Sequence, residues 1–256
     1  MRLSLGVAQV WAGQTGTAEF DANWVRARSC CEQLGDLEKL FPAVWNLWMS
    51  RQWGMNYGSA KDLSQELLAI AAHRTDAGEQ LQAHHAAWTT RFCLGETHSA
   101  LEHAEAAIDI YDMDAHRHHA YVYGGHDAGV CGCGIGALSA WVAGYPDKAA
   151  RLSGRALTLS DELGVVSSRL QSRWIAAFMW QFRDDPSRCA LIASECDALA
   201  IESNMEGVAF AVGTRIVQHW ASACLSRGNG YMADQLIQKE LASPASNVFP
   251  SCSKRA

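Results

Sequence analysis

The chain has 256 residues, 49% hydrophobic and 19% charged, a balance that excludes intrinsic disorder and is ample for a continuous core. Its formal charge of −6 and pI near 5.9 exclude the broad basic face that nucleic acid or an anionic membrane surface would require. No apolar run approaches the ~20 residues needed to cross a bilayer. Alternating Val/Ile/Thr runs are scarce, so helices are expected throughout. The nine cysteines are odd in number and scattered through helical stretches, which fits a reduced cytoplasm better than a stapled secreted fold.

The opening, Met1-Arg2 then Leu3 to Ala12, loosely imitates a secretory leader ending in Val10-Trp11-Ala12. Ser4, Gly6 and Gln9 interrupt its apolar segment, so it is not read as one. A helix near Ala18–Leu34 follows, half of a further hairpin. Ala43–Trp53 carries Val44, Leu47, Trp48 and Met49 and breaks at Gly54, and Lys61–His73 places Leu63, Leu67, Leu68, Ile70 and Ala71 on one face. Gln80–Leu94 and His98–Tyr111 turn at Gly95. Gly132–Ala143 and Asp147–Leu163 turn at Gly144-Tyr145-Pro146, where proline suits the first helical turn. Ser168–Phe182 and Pro186–Ile201 turn through Asp184-Asp185. Val208–Leu225 and Tyr231–Leu241 turn around Gly228-Asn229-Gly230. The five prolines stay out of the strongest helical stretches.

A phrase recurs at these corners: a turn, a small residue about five positions on, and another seven later. It reads Gly95, Ala100, Ala107; Gly144, Ala149, Ala156; and Asp184, Cys189, Cys196. Weaker copies run from Gly54 through Ala60 to Leu67 and from Gly228 to Ala233. Ala60, Ala100, Ala149, Cys189 and Ala233 lie 40, 49, 40 and 44 residues apart, and the long interval holds the one sizeable insertion, Asp112–Gly129. Small residues seven apart share a helical face and let backbones approach closely, so Cys189 and Cys196 need no chemistry. Recurrence at this period is the mark of stacked helical hairpins. The predicted fold is an all-α solenoid with hairpins near 43–73, 80–111, 130–163, 168–201 and 208–241, one array over 1–242, and an irregular tail over 243–256.

The stretch WVAGYPDKAARLSGRALTLSDELG, Trp141 to Gly164, resembles a tetratricopeptide repeat across its turn and second helix, and RFCLGETHSALEHAEAAIDIYD, Arg91 to Asp112, looks like the same unit. From Trp24 to Asn229 the order is similar to the helical C-terminal region of bacterial adenylate/guanylate cyclase-type and ATPase-coupled transcriptional regulators. Ala100–Ala150 carries this likeness, above all Tyr123-Gly124-Gly125-His126-Asp127-Ala128-Gly129-Val130 joined to the Gly144-Tyr145-Pro146 turn. The periods exceed the ~34 residues of a tetratricopeptide unit. No Gly-x-x-x-x-Gly-Lys-Ser/Thr loop and no cyclase metal-binding aspartates occur, so the resemblance implies a non-enzymatic sensor, scaffold or truncated relative without a cofactor.

Three constellations could carry chemistry. His116, His118, His119, His126, Cys131 and Cys133 offer zinc or copper ligands, although residues two apart on a helix diverge. The alternative is a polar loop with two small core cysteines. His126-Asp127 beside Tyr121 and Tyr123 could serve as base and orienter, but no nucleophile turn accompanies it, and Asp127 is better read as a helix cap. The ten tryptophans cluster in the first helices of the hairpins, as core or as groove. In tetratricopeptide arrays the first helices line the concave groove, which implies Trp48, Arg51, Gln82, His85, Thr89, Trp141, Gln171, Trp174, Gln181, Arg215 and Gln218 as groove residues. Arg169 and Arg173 beside Trp174 suggest an acidic peptide. The expected partner is therefore a protein or peptide segment rather than nucleic acid or membrane, with self-association through the terminal hairpins.

Overall fold

A computed structural model of the chain describes residues 17–226 and 230–242. Among these are twelve α-helices and no strand. Helix α1 spans Ala18–Leu34, α2 Leu37–Trp53, α3 Tyr57–Ala72, α4 Ala77–Cys93 and α5 Thr97–Ile110. A short α6, Met113–His116, runs into a 3-10 turn over Arg117–Tyr121. Then come α7 Ala128–Val142, α8 Pro146–Leu163, α9 Val166–Phe182, α10 Pro186–Glu202, α11 Ala209–Leu225 and α12 Gly230–Leu241. The turn predicted at Gly228-Asn229, the tail from 243, the leader-like opening and Trp11 lie outside the described residues.

Helices α2–α3, α4–α5, α7–α8, α9–α10 and α11–α12 pair as hairpins, and α1 packs against α2. The first helices pack in succession, α2 on α4, α4 on α7, α7 on α9 and α9 on α11, forming an inner layer. Each second helix from α3 to α10 packs on its own partner and on the first helix of the next hairpin. This is an all-α solenoid, as the repeat predicts.

The corners show why the phrase recurs. Met55, Gly95, Gly144 and Asp184 hold the left-handed conformation, with φ of 56°, 79°, 87° and 54°. The amide one residue later donates to the carbonyl five back: Asn56 to Arg51, Glu96 to Arg91, Tyr145 to Ala140 and Asp185 to Trp180, at 2.8–3.0 Å. That is the Schellman closure, which satisfies carbonyls orphaned at a helix end. Counted from the left-handed residue, Ala60, Ala100, Ala149 and Cys189 each fall five positions on. The first corner therefore turns at Met55 rather than at Gly54, because glycine is favoured there but not required. Ala60, Ala100, Ala107, Ala149, Ala156, Cys189 and Cys196 are all fully buried, where any larger side chain would push the helices apart. Asp36, Asn56, Asp76, Asp127 and Asp185 cap the helices that follow them, each accepting an amide three residues on.

Helix α2 starts at Leu37, earlier than the sequence suggests, and carries Pro42 in its interior. The ring removes one backbone donor; the turn is held instead by Phe41, Val44 and Trp45, all buried. Helix α7 lies at the centre and is buried along nearly its whole length. A side chain at Gly129 would meet the Tyr111 ring at 2.7 Å, and one at Gly134 would meet Ile175 Cδ1 at 2.8 Å. Glycine costs a helix interior about 1 kcal/mol relative to alanine, and here it admits the Tyr111 ring just past α5, and Ile175 of α9, at close range.

Candidate functional site

The inner layer has two ends of different character. At the N-terminal ends of its helices, residues 111–127 fold inward and cover the neighbouring side chains. Tyr123 packs edge-on against Phe41 and Trp45 at ring separations of 6.4 and 5.1 Å. Its hydroxyl, buried and near Glu79 and Asp76, is held protonated far above its ordinary range. A side chain at Gly124 would touch the Trp45 ring at 3.0 Å. His126 reaches His85 on α4 and lies 6.2 Å, ring to ring, from Phe210 on α11. Asp127 is fully buried: its amide donates to Ser168 on α9 at 2.9 Å, and its carboxylate accepts from Tyr111 Oη at 3.1 Å and from the Val130 amide. Burial pushes that carboxyl upward against these opposing hydrogen bonds. Asp127 is thus the cap the sequence suggested, committed to structure rather than poised as an orienter.

The insertion decides the fate of the predicted groove residues. Trp48, Gln82, His85 and Gln171 are buried and offer no surface to a partner. Trp48 Nε1 donates to Thr90 at 2.8 Å, and Gln82 is bracketed by His119 and His85 at 3.2 and 3.1 Å. These four are corrections: first helices line the inner layer, but here the chain's own insertion and the adjacent helices fill it. Thr89 is half-buried. Arg51 is tied to Asp21 of α1 at 2.9 Å. Arg215 and Gln218 turn toward α10, Arg215 to Asp197 at 3.6 Å and Gln218 to Ser194 at 3.3 Å. Arg169 and Arg173 share Asp161 at 2.9 and 3.0 Å, and Arg173 also lies 3.8 Å from Glu195, so both cations suggested for an acidic peptide already have carboxylate partners.

At the C-terminal ends of α7 and α9 the layer is open. Trp141 and Gln181 are half-buried there, and Trp174, midway along α9, is half-buried against Phe210 of α11 at a ring separation of 5.5 Å. Trp174 packs edge-on against Phe178 at 5.5 Å, and Phe178 lies 6.5 Å from Phe182, which is 45% exposed. Spacings of four residues align Trp174, Phe178 and Phe182 along α9. The Arg183 guanidinium sits 5.4 Å from the Trp141 ring and 5.2 Å from Trp180, spanning the two helices. Sequence reasoning passed over Phe178, Phe182 and Arg183, although the four-residue spacing from Trp174 was legible.

The histidine and cysteine set divides. His116 is buried and its Nδ1 accepts the Asp112 amide at 3.0 Å, while His118 is exposed. His119 stands on Gln82, and burial, with His118 and His116 nearby, lowers its pKa to about 4. Cys133 does not belong to the group that gathers at Cys131, in keeping with the divergence of residues two apart on a helix. His126 and Cys131 do converge, joined by His85, which sequence reasoning placed in the groove; one ligand atom from each lies within 4.8 Å of the others. Nothing local marks His85 for this company, since it stands 41 residues before His126. Burial keeps the imidazoles neutral, His126 at about 4 and His85 well below its ordinary value, and pushes the Cys131 thiol up to about 12.

No family model matches the chain. An uncharacterized protein of Rhizobium meliloti, R02095, is 25% identical over 175 residues, covering 68% of this chain and 17% of that protein. The chain thus spans about a sixth of the length of the curated relative it matches. Among solved structures, tetratricopeptide-like repeats of a putative kinesin light chain of Podosopora anserina align with a TM-score of 0.54, at 16% identity over 80% of this chain and 94% of that one. The apo form of RapI aligns at 0.56, with 12% identity over 86% of this chain and 59% of that one. The fold is a tetratricopeptide-like solenoid.

Proposed function

We propose that the chain is a non-enzymatic interaction module that holds a protein segment along the C-terminal rim of its inner layer. The observation that carries this reading is the half-open row Trp141, Trp174, Phe178, Phe182 with Gln181 and Arg183 beside it. Aromatic and arginine side chains on a rigid scaffold are the usual anchors of a partner segment, and stacked hairpins present them without a large ordering cost. The opposite end of the layer is filled by the insertion, so the segment engages the rim alone. Tetratricopeptide-like folds serve commonly as protein scaffolds, and no helix among the described residues is long and apolar enough to cross a membrane.

The finer reading is that this module serves, in the cytoplasm, as the sensor or scaffold part of a cyclase- or ATPase-linked regulator. It rests on the Tyr123–Val130 linker and the Gly144-Tyr145-Pro146 turn, and on a match to a small share of a much longer relative. Peptides selected from a displayed library on the intact chain should lose most of their affinity for a Trp141→Ala/Phe182→Ala variant. Unchanged affinity would remove the rim. For the regulatory reading, any cyclase or ATPase encoded beside this chain's gene is assayed with and without the chain; turnover indifferent to the chain would end it.

A further inference from the structure

The end of the inner layer that the insertion closes contains a donor set with no assigned role. His85 on α4 and His126 in the insertion face each other through their Nε2 atoms at 3.3 Å. Cys131 Sγ, on the first turns of α7, completes a group whose ligand atoms all lie within 4.8 Å. In a tetrahedral zinc site with Zn–N of about 2.0–2.1 Å, two imidazole nitrogens stand about 3.3–3.4 Å apart. The two histidines are already at that spacing, and the thiol needs to close by about an ångström.

Proton placement points the same way. His126 Nδ1 lies 3.1 Å from the Gly124 carbonyl, which can only accept, so its proton sits there and Nε2 carries a lone pair. The Gln82 amide nitrogen donates to His119 Nδ1 at 3.2 Å, which turns its oxygen toward His85 Nδ1 at 3.1 Å. His85 Nε2 then carries a lone pair as well. Two acceptors facing each other inside a protein repel unless a cation lies between them. A reversed Gln82 amide gives the metal-free alternative, with His85 Nε2–H donating to His126. Hydrogen bonds that fix Nδ1 and aim Nε2 inward are the usual support of metal-bound imidazole.

A second observation comes from the sulfur side. Trp88 and Gln171 stand beside Cys131, each able to donate to a thiolate. Trp88 Nε1 and Gln171 Oε1 are both buried, and neither makes a well-formed hydrogen bond, the indole N–H having only the Cys131 sulfur beside it. Orphaned polar atoms in a packed interior ask for an explanation. A metal-bound thiolate would take the indole N–H more strongly than a neutral thiol does.

We propose that His85 Nε2, His126 Nε2 and Cys131 Sγ bind one thiophilic d10 ion, Zn(II) or Cu(I), which clasps α4 to α7 and seats the insertion. Soft thiolate with two imidazoles suits both ions. Tag-free full-length protein is loaded with Zn(II), and separately with Cu(I) under reducing anaerobic conditions, then dialysed against a weak chelator. One equivalent of one ion should remain. Cys131→Ser and His126→Ala should weaken binding about tenfold or more, whereas His118→Ala and Cys133→Ser should leave it unchanged, with circular dichroism reporting helix content in each. X-ray absorption on the unmodified protein should show one sulfur and two imidazole nitrogens, a readout that needs no variant. Retention of neither ion, an absorption spectrum without sulfur, or binding indifferent to Cys131→Ser in a folded variant would overturn the proposal.

Discussion

The two ends of the inner layer are built from the same five helices and differ in what lies against them. At the N-terminal end the insertion presses Tyr123, Gly124 and His126 onto Trp45, His85 and Phe210, and the interior is crowded and polar. At the C-terminal end Trp141, Phe178 and Phe182 have no such cover and remain partly open. A repeat array thus acquires a closed end and a usable end through one irregular segment. The lesson is that in a solenoid the accessibility of the inner helices is set by what is inserted between repeats as much as by the repeats.

The sharpest way to break this comparison is to empty the closed end. Trp45→Ala removes a ring that is 1% exposed and touches Trp48, His85 and Tyr123, and should cost about 3–5 kcal/mol in chemical denaturation. Phe182→Ala at the open end should cost well under that, about 1 kcal/mol or less. Equal losses would mean the two ends do not differ as described.

Acid should also find the closed end. His119 is buried with its pKa at about 4, against an unfolded value near 6.5. Between those values the unfolded chain binds the proton and the folded chain does not, so stability is intact above pH 6.5 and falls as pH drops toward 4. The loss attributable to His119 approaches ~3 kcal/mol. Thermal melts of the chain and of His119→Gln across this range should converge as the pH falls. A parallel pair of curves would contradict the assignment.

Smaller effects test the regular corners. Gly144 holds φ of 87° with open space around its α-carbon, so Gly144→Ala should destabilise by about 1 kcal/mol through backbone strain alone. Asp184 occupies the equivalent position at φ 54°, and Asp184→Gly should be neutral or stabilise by about 0.5 kcal/mol. A Gly144→Ala that does not destabilise, or an Asp184→Gly that clearly does, would show that the corners are not equivalent.

These corners were legible because each is a local device: a left-handed residue, a cap, and small residues at a fixed distance. The slip at Gly54, where Met55 makes the turn, arose because a neighbouring glycine offered itself and side-chain type only biases the left-handed region. The start of α2 was hidden by Pro42, a breaker that packing of Phe41, Val44 and Trp45 overrode. The interior of the candidate sites was far less visible. That Trp48, Gln82, His85 and Gln171 are covered depends on residues far away in the chain folding over them. So does the meeting of His85 with His126 and Cys131, which no local spacing encodes.

The seating of the insertion is open to direct chemical test. Diethyl pyrocarbonate modification followed by mass spectrometry, at short times on the folded chain, reports each histidine by its exposure. The exposed His73, His98 and His118 should react readily, while His85, His119 and His126 stay protected until the chain unfolds. Reaction of His85 and His126 as fast as His118 would mean that the insertion does not close that end of the layer.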